Sequence, residues 1–262
     1  IRAWIAAAQA TFSQTTVADD LTWLASASSG ALNSGRVWKT ERQNVNAVAT
    51  PANWTAPTQV THAMPMIIEF AHSVRGITVL NVGDSIRLGT PSDSASTITK
   101  GDAFISAASL STASVPVSMV NAAWGGDNSA NYTARAVDMI SAVQPDVVLF
   151  APFTVNDGTP TDYRIAWEQG QLSQVFKAAK AAGAKMILVN GMCNTAQAWN
   201  STADDYRKSL NATLLTMGVP VIDQDSQVTD GATPARFASG KSTDNTHPVA
   251  AAYTLIAPLT SA

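Results

Sequence analysis

The stretch Val79-Leu80-Asn81-Val82-Gly83-Asp84-Ser85-Ile86-Arg87-Leu88-Gly89 (VLNVGDSIRLG, residues 79–89) breaks the pattern of its own chain. Ile77–Val82 reads as a strand, and its apolar run suits a buried one. The run stops at a glycine, an acid and a serine. A turn would account for those three residues. So would a nucleophile presented at the end of a core strand. The two readings separate only when the rest of the chain is set beside them.

From Gly76 onward strand and helix alternate. Ala103–Leu110 reads as a helix and Val115–Val120 as a strand, with Pro116 near its start. Ala130–Val143 carries Ala134, Val137, Ile140 and Ala142 at helical spacing, with Pro145 just beyond. Asp146–Phe150 is a third strand. Ile165–Ala182 is a helix stopped by Gly183, and Ala184–Val189 a fourth strand. Ala203–Met217 is a helix stopped by Gly218, Val219–Ile222 a short fifth strand, and Pro248–Leu259 a last helix. Continuous apolar strands suit a parallel sheet covered on both faces. The alternation predicts an α/β domain with a parallel sheet of about five strands and right-handed crossovers.

Residues 1–75 differ. Ile1–Phe12 reads as a helix and Met66–Phe70 as a short strand, with Ser-, Thr-, Asn- and Gly-rich pieces between. Trp23, Trp38 and Trp54 are spaced through them and suit a small core, with a glycan-contacting surface the alternative, and His62 and His72 suit surface or packing positions. The expectation is an N-terminal extension or small β-rich accessory unit over 1–75 and the α/β domain over 76–262.

Composition excludes several functions. The chain has 262 residues, 46% of them hydrophobic, enough for one sizeable core. Charged residues make up 13%, against ~25% in an average globular protein. The net charge is −3 without a basic block, so no nucleic-acid partner is expected. No apolar run approaches the ~20 residues of a membrane span. Cys193 is the only cysteine, which rules out an intramolecular disulfide. It follows an apolar run and reads as a small buried residue rather than a reactive thiol. Without a Cys–His cluster no metal site is expected. The chain begins at Ile1, which suggests a processed product or part of a larger polypeptide. Sparse charge and abundant Ser, Thr and Asn suit an extracellular or virion-associated protein. Of the Asn-x-Ser/Thr sequons at Asn53, Asn131, Asn200 and Asn211, most are expected by chance in so Thr-rich a chain.

Sites in open parallel sheets gather beyond the carboxyl ends of the strands. After the first strand comes Gly83-Asp84-Ser85, after the second Asn121 to Ser129, and after the third Thr154 to Gly158. Asp244-Asn245-Thr246-His247-Pro248 precedes the last helix. Ser85 can act as a nucleophile once a base takes its proton. His247 is the natural base, and Asp244 can accept its Nδ1–H and fix the tautomer. An oxyanion would find donors in the Ser85 N–H, a glycine N–H near 126 and the Asn156 amide. Trp124 could stack on a sugar face or belong to the core or rim. Arg87 could bind an anionic substrate or pair within its own loop. Asp84 reads as a hydrogen-bonding residue beside the nucleophile, with contact to substrate a further option.

In this order the four blocks resemble the SGNH, or GDSL-type, serine hydrolase family over residues 76–262. Gly83-Asp84-Ser85 resembles its nucleophile motif. Residues 121–129 resemble its second block, in which a glycine amide serves the oxyanion hole. Gly126 is the better match and Gly125 the fallback. Asn156-Asp157 resembles the third block and Asp244-x-x-His247 the fifth. The resemblance implies a flavodoxin-like three-layer α/β/α sandwich with neither metal nor organic cofactor. Ile86 stands where the family usually has leucine, and Thr154 where it has glycine. A β-branched residue does not easily take φ > 0, so another path is expected for the loop before Asn156. The functional expectation is a serine ester hydrolase working through an acyl-enzyme, with acylated carbohydrate or another small ester as substrate. A lipase- or thioesterase-like acyl hydrolase is the alternative in the same class, and a glycan-binding module on a weakened hydrolase fold the alternative outside it.

Overall fold

Parallel strands cannot be joined by a tight turn, so each must be followed by a crossover. The computed structural model describes residues 75–93, 101–112, 114–157, 162–194 and 200–261, and there the chain obeys this constraint. The expectations for residues 1–74, including Trp23, Trp38, Trp54, His62 and His72, lie outside the described residues.

The strands are β1 (Ile77–Val82), β2 (Val117–Asn121), β3 (Val147–Phe150), β4 (Lys185–Val189) and β5 (Val221–Ile222). They form one parallel sheet in the order β2-β1-β3-β4-β5, the flavodoxin-like order. The helices are α1 (Ser85–Leu88), α2 (Asp102–Leu110), α3 (Ser129–Val143), α4 (Asp162–Ala182), α5 (Ser201–Leu215), α6 (Asp225–Val228) and α7 (Ala250–Ser261).

Side chains alternate across a strand, and the core divides accordingly. Leu80, Val82, Val148, Phe150 and Leu188 point to one face and meet Tyr132, Ala136 and Ile140 of α3 and Leu172, Val175 and Ala179 of α4. Tyr132 packs edge-on against Phe150, with ring centroids 5.7 Å apart. Leu149, Val189 and Ile222 point to the other face, where they meet Ala103 of α2 and Ala252, Tyr253 and Ile256 of α7. The result is a three-layer sandwich in which each buried aliphatic side chain contributes roughly 1.5–3 kcal/mol.

Element ends differ from the expectations for local reasons. β2 starts at Val117 rather than Val115, because Pro116 has no N–H to give the ladder; its carbonyl instead accepts from Ile77 N at 2.8 Å. α3 and α5 begin earlier than expected because Asn128 and Asn200 cap them, accepting from Asn131 N and Ala203 N at 3.0 and 2.9 Å. α7 starts at Ala250, past Pro248, and Asp93 Oδ1 accepts from its N–H at 2.8 Å. The sequon residue Asn211 uses both ends of its amide on Gly191, at 2.8 Å each.

Candidate active site

Ser85 stands just past β1, at the first position of α1. Gly83 is required there by a close approach. A Cβ on it would lie 2.4 Å from Cγ of Arg87. Asp84 caps the short helix, its Oδ1 accepting from Ile86 N at 2.9 Å and Arg87 N at 3.4 Å. That leaves the Ser85 N–H, which pairs with no acceptor among the described residues. Asp84 is 4% exposed. Burial pushes its carboxyl up, against the pull of the Thr154 hydroxyl and the two backbone donors.

Arg87 folds back beneath this turn. Its Nη1 reaches both oxygens of Asp102 on α2, at 3.0 and 2.9 Å. Its Nε and Nη2 donate to Asn81 Oδ1 at 3.1 and 2.8 Å, and Asn81 Nδ2 returns a bond to Arg87 O at 2.7 Å. The Arg87 side chain is wholly buried. The expectation that Arg87 contacts substrate is therefore corrected: a guanidinium sealed beneath the turn and already paired cannot meet a ligand in the cleft. For Asp84 only the further option, contact with substrate, is corrected: it is a buried hydrogen-bonding residue, and both its oxygens accept from the protein.

The loop before α7 carries Asp244 and His247. Asp244 Oδ1 accepts from Thr246 N and His247 N, at 2.8 Å each, which folds the loop back on itself around Asn245 at φ 61°. Asp244 Oδ2 then lies 2.7 Å from His247 Nδ1, and His247 Nε2 lies 2.9 Å from Ser85 Oγ. With Nδ1–H donated to the carboxylate, Nε2 is left to accept the serine proton. Partial burial alone would raise the Asp244 carboxyl, but the His247 N–H and ring and the Thr246 N–H hold it below the usual carboxylate range. Thr243 anchors the loop to Ser92, its Oγ1 donating to Ser92 O at 2.6 Å. From beneath, Tyr253 of α7 donates to Ile86 O and Thr90 O at 3.1 Å each, joining the histidine-bearing segment to the serine turn.

Two more loops border the serine. After β2, Gly126 takes φ 76°, a left-handed conformation that glycine adopts freely, and its N–H pairs with no acceptor among the described residues. Trp124 N donates to Gly83 O at 3.1 Å, setting this loop against the nucleophile turn. Trp124 as a residue is 53% exposed. Arg135 of α3 holds both ends of the loop, with Nε on Ala122 O at 2.7 Å and Nη1 2.5 Å from Asp127 Oδ2. After β3, a 3₁₀ turn (Val155–Asp157) carries Asn156, whose Nδ2 donates to Asp127 O at 2.9 Å and keeps a second hydrogen to give. Asp157 Oδ1 accepts from Ser129 N and Oγ at 2.9 Å.

Thr154 is not at positive φ. Its hydroxyl donates to Asp84 Oδ2 and accepts from Asn156 N at 3.2 Å. Sequence reasoning missed this use of the hydroxyl, and missed Asn81, Asp102, Arg135 and Asp157 as supports. In the sequence Asp157 stands out only as the neighbour of Asn156 in the third block, and Asn81 only by its polarity within an apolar strand. Cys193 is fully buried, and burial pushes its thiol up to about 12, well away from reactivity. Among the described residues no cluster of metal-ligating side chains occurs. Nor, among them, is any helix long and apolar enough to cross a membrane.

Fold and array together define a class: a flavodoxin-like α/β protein with a hydrogen-bonded serine, histidine and aspartate at the carboxyl end of its sheet. The chain belongs to the GDSL-like lipase/acylhydrolase family, whose sequence model matches residues 82–255. Solved structures share the fold. The esterase EstA from Pseudoalteromonas sp., in a structure inhibited by monoethylphosphonate, is 17% identical with TM-score 0.52, covering 70% of this chain and 93% of its own. The lipase/acylhydrolase from Enterococcus faecalis is 19% identical with TM-score 0.53, covering 71% and 93%. Axe2, an acetylxylan esterase from Geobacillus stearothermophilus, is 16% identical with TM-score 0.52, covering 70% and 91%. Comparison with curated proteins returns no match.

Proposed function

We propose that this protein is a serine ester hydrolase that works through an acyl-enzyme and removes small acyl groups, acetyl foremost, from carbohydrate. The observation that carries the chemistry is the continuous line from Ser85 Oγ to His247 Nε2 at 2.9 Å and from His247 Nδ1 to Asp244 Oδ2 at 2.7 Å. Ser85 Oγ attacks the ester carbonyl carbon as His247 takes its proton. The carbonyl oxygen becomes an oxyanion facing the Ser85 N–H, the Gly126 N–H and the free hydrogen of the Asn156 amide. The tetrahedral adduct collapses, the C–O bond breaks, and His247 returns the proton to the leaving alcohol. Water then repeats the sequence on the acyl-enzyme, with His247 as base, and releases the acid and Ser85.

The carbohydrate half of the proposal is supported by the half-exposed Trp124 beside the nucleophile turn and by a charge-poor chain. A solved structure with this fold that bears the name acetylxylan esterase supports the same reading. The test is Ser85→Ala, assayed on a short aryl ester and by acetate released from acetylated polysaccharides. Loss of at least about 10³-fold in kcat is expected. Undiminished hydrolysis would refute the assignment. Faster turnover of long-chain than of acetyl esters would replace the carbohydrate substrate with a lipid one.

A further inference from the structure

Thr154 stands two residues before Asn156, where the resemblance of the third block leads one to expect glycine, and it brings in a hydroxyl that glycine cannot offer. A hydroxyl donates one hydrogen and accepts through its lone pairs, and both capacities are used. The side chain is buried, with Thr154 2% exposed. It donates to Asp84 Oδ2 and accepts from Asn156 N at 3.2 Å. Asp84 spends its other oxygen on Ile86 N and Arg87 N, closing the turn that presents Ser85. One carboxylate thus shapes the nucleophile turn and receives the loop that carries Asn156. The backbone of that loop is tied again where Thr154 N donates to Asp157 Oδ2 at 3.2 Å. The Asn156 amide is held from the far side by Asp127 O at 2.9 Å.

We propose that Thr154 is a positioning residue: its hydroxyl ties the Asn156 loop to the Asp84 cap of the nucleophile turn, and so sets where the Asn156 amide stands relative to Ser85 Oγ. This role rests on the acyl-hydrolase function proposed above. A buried hydroxyl–carboxylate bond is charge-assisted and directional, which suits it to fix one loop against another. The fix matters because oxyanion donors act only when aimed at the place where charge develops.

The experiment compares wild type, Thr154→Ser, Thr154→Val and Thr154→Ala. Each is assayed for kcat and KM on an aryl acetate, for thermal melting, and for labelling of Ser85 by an ethyl phosphonate, read by mass. Thr154→Ser keeps the hydroxyl and should hold kcat within about three-fold of wild type. Thr154→Val keeps the shape but leaves Asp84 Oδ2 without its donor. It should lower kcat at least about ten-fold with KM within about two-fold, the signature of an interaction made chiefly in the transition state. Thr154→Ala, which cannot overpack the site, should fall with it and stands in if the valine variant does not fold. Wild-type kcat in the folded Val or Ala variant overturns the proposal. So does a Ser variant as damaged as they are, or a loss confined to KM. In each of these cases wild type is active and labelled at Ser85, so the hydrolase assignment survives. A wild type that neither hydrolyses the ester nor takes the phosphonate overturns that assignment and the positioning role with it.

Discussion

Asp84 and Asp244 are the same residue type put to opposite uses by their surroundings. Asp84 is sealed under the nucleophile turn, and burial drives its carboxyl upward. Asp244 is partly open to solvent, and its bonds to His247 and Thr246 N–H groups outweigh its burial and hold its carboxyl down. A group with a lowered folded pKa contributes stability that is fully present above its unfolded pKa and is lost as pH falls through the folded value. Wild type should therefore exceed Asp244→Asn by a constant margin near neutrality, and the margin should close on acidification below about pH 4. Urea denaturation from pH 7 to pH 3 reads this, and a margin unchanged down to pH 3 contradicts it. Residue types at this scale were legible in the chain: Ser85, Asp244 and His247 could be picked out as candidates because few residues do their chemistry. The place of Arg87 was not legible, because an arginine next to Ser85 suits an anionic ligand, solvent or a partner within its own loop. Only its contact with Asp102 decides between them.

At the scale of elements, α1 is too short to hold itself together. A helix of four residues lies far below the length at which helical propensity sustains one. It is held by Asp84 at its start, Tyr253 below it and the Arg87–Asp102 pair behind it. Breaking a buried pair by removing one partner leaves an uncompensated charge, at a cost of about 3–5 kcal/mol. Asp102→Ala should lose stability in that range by chemical denaturation and lower kcat, because Ser85 sits on the element released. A loss under about 1 kcal/mol would mean that water or another group replaces Asp102. The longer helices and the strands were legible because period and caps repeat over many residues. α1 and α6, of four residues each, were not, because neither is long enough to show a period.

At the scale of the molecule, the sheet order explains why three separate blocks form one site. β1 lies between β2 and β3, and the chain leaves β1 to one side and returns on the other. The crevice at the carboxyl end of β1 is the switch point of the sheet, where ligands of open α/β folds bind. Neighbouring strand ends thus deliver the loops that carry Gly126, Ser85 and Asn156 to one end of the sheet, joined through Trp124 N to Gly83 O and Thr154 Oγ1 to Asp84 Oδ2, and Trp124 is exposed. Stacking on an aromatic face is worth about 0.5–1.5 kcal/mol. Trp124→Ala should therefore lower kcat/KM on an acetylated oligosaccharide about three- to ten-fold more than on an aryl acetate. Equal losses on both would remove Trp124 from sugar recognition. The sequence by itself determined the parallel α/β architecture and singled out the candidates for the reacting groups, because apolar periodicity and residue chemistry are local properties. Only the tertiary structure decided which polar side chains face the site and which brace it from behind. Ser85 and His247 meet across 162 residues of chain, and Thr154, Asp84 and Arg87 take their roles from contacts between loops that no local spacing encodes.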